Sequence, residues 1–149
     1  MPHSLTKIWI HIIWTPKNRE HLIKSESEEK VFDIIRQEFN AIQCYLEIIN
    51  GMPDHVHCLF RLNAQKSVSE VIKQVKGASS HRINQQKIFN YKFAWQTGYS
   101  AFSVSESQIK KVHEYILNQK EHHKKLTTKD ELSFFNKLHG LSDEETKNG

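Results

Sequence analysis

The chain has 149 residues, of which 38% are hydrophobic, and its 21 Lys plus Arg exceed its 17 Asp plus Glu for a formal charge of +4. One domain with a single core fits that length, and the composition excludes a disordered or fibrous chain. No apolar run reaches the roughly 18 residues of a membrane span, and the N-terminus lacks a leader pattern, so a cytoplasmic protein is expected. The basic excess permits a nucleic-acid partner without arguing for one. Cys44 and Cys58 each sit in an apolar run and read as small buried hydrophobes rather than as a disulfide.

Residues 7–14 (KIWIHIIW) are β-branched and aromatic and end at Thr15-Pro16, which predicts a central strand covered on both faces. His11 there reads as a half-buried histidine with a hydrogen-bond partner. Ser27 opens a predicted helix to about Ile42, with Glu28 and Glu29 suited to its N-terminal dipole. Residues 45–49 (YLEII) form a second strand, and Asn50-Gly51 is a hairpin signal that pairs it with a strand over 55–62.

In that third strand Val56, Cys58, Phe60 and Leu62 share an apolar face, while His55, His57, Leu59 and Arg61 point the other way. Two imidazoles side by side on a strand make a metal site plausible. Asp54 has the parity of Val56, so a regular strand turns it away from them. Ser67 and Glu70 match a capping box, and the helix they open carries Val68, Ile72 and Val75 on one face. Lys73, Lys76 and Ser80 lie on an adjacent face with Arg82 nearby, either as a solvated surface or as phosphate contacts. A fourth strand is expected over 93–96, broken at Thr97-Gly98 and resumed over 99–104.

Strand, helix, strand, strand, helix, strand is the split βαβ order: an α+β, ferredoxin-like, four-stranded antiparallel sheet with two helices on one face. His55 and His57 then fall on the face the helices leave free. A further helix begins near Ser105-Glu106-Ser107-Gln108, again a capping-box match, and runs to about residue 125. At about 100° per residue Ile109, Val112 and Ile116 form its stripe, with Tyr115 and Gln119 on a strip beside it. A domain over 1–126 is expected, followed over 127–149 by a short closing helix carrying Leu132, Phe135 and Leu138 and by a mobile tail from Ser142.

Three stretches and the appended helix occur together in one order. These are Ile13-Trp14-Thr15-Pro16-Lys17, then Met52-Pro53-Asp54-His55-Val56-His57, then Trp95-Gln96-Thr97-Gly98-Tyr99 through Ser105. The helix adds Val112, Tyr115-Ile116, Asn118-Gln119 and His122-His123. In this the chain resembles the single-tyrosine HUH transposases, the TnpA-type enzymes of small insertion sequences and their REP-associated relatives, from about residue 7 to 125. The resemblance implies that His55, His57 and Gln119 bind a divalent metal, Mg²⁺ or Mn²⁺, and that Tyr115 is the nucleophile. It implies DNA transposition by cleavage and rejoining of single-stranded DNA at hairpin-bearing ends, through a 5′-phosphotyrosine and without a nucleotide cofactor. It implies too a homodimer whose tyrosine helices can complete each other's sites, in a bacterial or archaeal cytoplasm at the nucleoid.

The chemistry suits the residues. Two imidazoles and an amide are neutral ligands that leave an ion its full charge and open positions, and imidazole favours Mn²⁺ over Mg²⁺. His122 remains a reserve for the third ligand, and His113 lies on the other flank of the stripe. Lys17, Arg19, Lys73, Lys76, Arg82, Lys110, Lys111 and Lys120 are candidate DNA contacts. Tyr99 could stack on a base, while Trp14 and Trp95 read as core. Two other functions fit parts of the pattern: a non-catalytic nucleic-acid-binding module on this sheet, and a metal-dependent phosphodiesterase using activated water.

Overall fold

The runs rich in β-branched and aromatic residues form four strands: β1 (Trp9–Trp14), β2 (Tyr45–Met52), β3 (His55–Arg61) and β4 (Ser100–Val104). The computed structural model describes residues 4–121. Its strands make one sheet in the order β2-β3-β1-β4, with every neighbouring pair antiparallel. With α1 (Glu28–Ala41) and α2 (Val68–Gln85) between the strands, this is the expected ferredoxin-like arrangement. The chain divides into two units, Met1–Leu117 and Asn118–Gly149. The sheet and the helices α1, α2 and α3 (Ile109–Leu117) belong to the first. The expected boundary at residue 126, the closing helix and the tail lie outside the described residues.

Strand alternation sorts the side chains as the pattern requires. Ile10, Ile12 and Trp14 of β1 join Val56, Cys58 and Phe60 of β3 in one buried core with Val31, Ile35 and Phe39 of α1 and Val71, Ile72 and Val75 of α2. Phe39 stacks obliquely on Phe60 at 4.9 Å between ring centroids. Both cysteines are buried and reduced, and burial pushes the Cys58 thiol well up. At the head of α2 the Ser67 hydroxyl accepts from the Glu70 amide at 3.1 Å, the expected cap. Among the described residues no helix is long and apolar enough to cross a membrane.

Five expectations need correction. The β2–β3 hairpin does not turn at Asn50-Gly51: β2 runs through both residues, and Pro53-Asp54 make the turn, with Met52 paired to His55. Gly51 is needed for a different reason, because a Cβ there would lie 2.2 Å from the His55 carbonyl oxygen. The fourth strand starts only at Ser100, Trp95 making just an isolated bridge to Pro16. Ser105 forms no side-chain cap, since the chain enters α3 through a 3₁₀ turn, Glu106–Gln108, in which the Gln108 amide bonds the Ser105 carbonyl. The sheet face opposite α1 and α2 is not free, because α3 packs across β2 and β3 there. Finally, α3 stops at Leu117; Asn118, a weak helix former, is in a turn before residues 119–121 become helical again.

Candidate active site

On the face covered by α3, residues directly paired across the ladder share a side. Met52 stands opposite His55 and Asn50 opposite His57, and Ile13 of β1 also pairs with His57. His55 and His57 are both buried, with ring centroids 5.1 Å apart at 77°. Tyr115, buried on α3, sets its ring edge against His57 at 5.8 Å between centroids and 76°. The structure therefore brings Tyr115, distant in the chain, against the neighbouring pair His55 and His57.

Each imidazole is anchored through its Nδ1. His55 donates to Asp54 Oδ1 at 2.7 Å, and that bond is the chief reason the Asp54 carboxyl is held below the usual carboxylate range. His57 Nδ1 shares a hydrogen bond with His11 Nε2 at 3.0 Å. Anchoring one ring nitrogen fixes the orientation and tautomer that the other presents, which is how ligating histidines are usually supported. Asp54 escapes the parity argument because it sits in the turn, where side chains no longer alternate. Its only signal in the sequence was adjacency to His55. His11 is fully buried rather than half-buried, and its ring also faces Tyr115 at 6.4 Å. The expected hydrogen-bond partner is there.

Gln119 is buried and belongs to the second unit, and His122 lies outside the described residues. Among the described residues no group of three or more His, Cys, Asp or Glu side chains could hold a metal ion. His113 reaches Glu47 on β2 at 3.4 Å, a contact that helps seat α3.

The Trp95–Tyr99 segment has a structural part. Lys76 Nζ donates to the carbonyls of Gln96 and Gly98 at 2.6 and 2.7 Å, and burial lowers its pKa. Gln96 Oε1 accepts from the Asn18 amide at 2.8 Å, tying this segment to the loop after β1. Trp95 donates to Ser79 Oγ and packs edge-on to Trp14; Trp14 is core as expected, whereas Trp95 is half-buried against that core. Tyr99 is exposed. Arg82 is bound to Glu38 and Gln37 of α1 at 2.9 and 2.6 Å. Lys76 and Arg82 thus have internal partners, whereas Lys17, Arg19, Lys73, Lys110 and Lys111 are exposed; Lys120 belongs to the second unit.

The profile of the family described as "Transposase IS200 like" matches residues 4–119. The ISDra2 transposase TnpA of Deinococcus radiodurans is 32% identical over 117 residues, covering 73% of this chain and 81% of the relative. The transposase for insertion sequence element IS200 of Salmonella typhimurium is 27% identical over 130 residues, covering 83% and 84%. A crystal structure of a Deinococcus radiodurans R1 protein described as a transposase superposes with a TM-score of 0.64 at 27% identity, covering 80% of this chain and 95% of that one. A solved REP-associated tyrosine transposase bound to a REP hairpin shares the fold, with a TM-score of 0.62 at 13% identity, covering 83% and 72%.

Proposed function

Since the chain belongs to the IS200-like transposase family, we propose that it cuts and rejoins single-stranded DNA at hairpin-bearing element ends with Tyr115 as nucleophile. The observation that carries this reading is the Tyr115 ring lodged edge-on against His57, itself edge-on to His55. A phenol buried against paired imidazoles suits phosphoryl chemistry better than a simple binding surface.

In the first step Tyr115 Oη bonds to the phosphorus of a phosphodiester and its proton is lost. The bond from phosphorus to the 3′-oxygen breaks, and that oxygen takes up a proton to leave as a 3′-hydroxyl. The 5′-phosphate stays on the tyrosine as a new diester. A second 3′-hydroxyl attacks the same phosphorus, the phenol departs and the strand is rejoined. Each step exchanges one phosphodiester for another, so no nucleotide cofactor is required.

His55 and His57, with Gln119 as third ligand and His122 in reserve, would hold Mg²⁺ or Mn²⁺, and the Nδ1 anchors to Asp54 and His11 suit that task. Bound there, the ion would offset charge on a non-bridging phosphate oxygen. Lys17, Arg19, Lys73, Lys110 and Lys111 are the side chains we assign to the DNA backbone, a contact weakened by salt. The family resemblance adds a homodimer in which a tyrosine helix can serve the partner's site, acting at the nucleoid in the cytoplasm.

The test is incubation of labelled single-stranded DNA carrying candidate ends with the protein and Mn²⁺, followed by denaturing electrophoresis. A denaturant-stable protein–DNA adduct is expected for the wild type and none for Tyr115→Phe or His57→Ala. Cleavage without adduct, unchanged by Tyr115→Phe, would overturn the reading in favour of activated water. DNA binding without cleavage under any divalent metal would favour a binding module.

A further inference from the structure

Asn50 lies on β2 directly opposite His57 in the antiparallel ladder, so its side chain is on the same sheet face as the imidazole. From there its Nδ2 donates to the carbonyl oxygens of Ile116 and Leu117, at 3.0 and 3.1 Å. These are the last two residues of α3. Carbonyls in the last turn of a helix have no intrahelical partner unless the helix continues. The helix ends at Leu117, and the one side-chain amide nitrogen donates to both carbonyls.

We propose that Asn50 is a positioning residue for Tyr115: by capping the end of α3 from the strand beside His57, it fixes where the tyrosine helix stops and the height at which the phenol faces the histidine. Tyr115 immediately precedes the first of the two held carbonyls, so a shift of the helix along its axis carries the ring with it. The two capped carbonyls form the negative end of the helix, where a donor is favoured and a carboxylate is repelled. Replacing the amide by a carboxylate changes little in volume but removes both donors and adds that repulsion. This role rests on Tyr115 being the nucleophile, and the test keeps the two questions apart.

The full chain is prepared as wild type, Asn50→Gln, Asn50→Ala and Asn50→Asp, and each is labelled with 3-fluorotyrosine. Single-turnover adduct formation is followed with saturating single-stranded DNA and Mn²⁺, together with the Kd for DNA and the thermal midpoint. We expect the rate to fall about tenfold in Asn50→Ala and further in Asn50→Asp, with partial recovery in Asn50→Gln, which keeps a donor. The Kd for DNA should stay within about twofold in all of them, because Asn50 is assigned no contact with the strand. The ¹⁹F signal of Tyr115, identified by its loss in Tyr115→Phe, should shift or broaden in Asn50→Asp while those of Tyr45, Tyr91 and Tyr99 hold. A lowered thermal midpoint with an unchanged rate and an unmoved Tyr115 signal would make Asn50 merely structural and overturn the proposal. Should the wild type form no adduct, the nucleophile assignment fails, and the ¹⁹F signal alone decides the positioning role.

Discussion

On one face of the sheet Ile12, Trp14, Val56, Cys58 and Phe60 meet the apolar sides of α1 and α2. On the other, His11, His57 and Leu59 are as deeply buried beneath α3, with the two imidazoles bonded to one another. Equal burial hides unequal energetics. Apolar burial stabilises each side chain on the first face outright, by about 1.5–3 kcal/mol when complete. Burying an imidazole gives no such return unless its nitrogens find partners. The face under α3 has those partners, Asp54 for His55 and His11 for His57. The first face is held by apolar area, the second by hydrogen-bonded imidazoles, and we assign the chemistry to the second.

That division is open to direct tests. The largest separation is expected between Phe60→Ala and Tyr115→Phe. Opening a cavity beside Phe39 should lower unfolding free energy by about 3–5 kcal/mol, read from the urea midpoint, while the surviving folded protein still forms adduct. Tyr115→Phe should keep the midpoint close to wild type and lose the adduct altogether. If Tyr115→Phe unfolds as readily as Phe60→Ala, the face under α3 is a second core and the comparison collapses.

A smaller effect is expected at Asp54. Asp54→Ala releases His55 and should weaken Mn²⁺ binding by about tenfold to a hundredfold, measured by titration without DNA. Asp54→Asn, which retains an acceptor for the His55 N–H, should lose less. Equal affinities in all three proteins would leave Asp54 as a turn residue only.

Smallest is the acid response. The hydrogen bond from His55 depresses the Asp54 pKa, so its contribution to stability is complete above the usual carboxylate range and is lost as pH falls through the lowered value. The stability difference between wild type and Asp54→Asn should be present above the usual carboxylate range and shrink as pH falls below about 4. A difference that persists unchanged into strong acid would mean that the carboxylate charge contributes nothing there.

By itself the sequence determined the features that depend on near neighbours in the chain. Alternation put Val56, Cys58 and Phe60 on one face and His55 and His57 on the other. Ser67 with Glu70 marked the head of α2, and the element order specified the sheet. The family resemblance, rather than any spacing rule, implied Tyr115 as the partner of the histidines. Tertiary structure alone decided what depends on contacts between distant segments. Gly51 reads as a turn until β3 is seen pressing its backbone to within van der Waals contact. Asp54 reads as averted until the turn releases it from strand parity. His11 meets His57 because Ile13, two residues along β1, pairs with His57 across the ladder. The end of α3 was equally hidden, since two of its last carbonyls are capped by Asn50, a residue 66 positions from Ile116. Periodicity reports what repeats along a helix or strand; it cannot report a hydrogen bond whose two ends are joined only by folding.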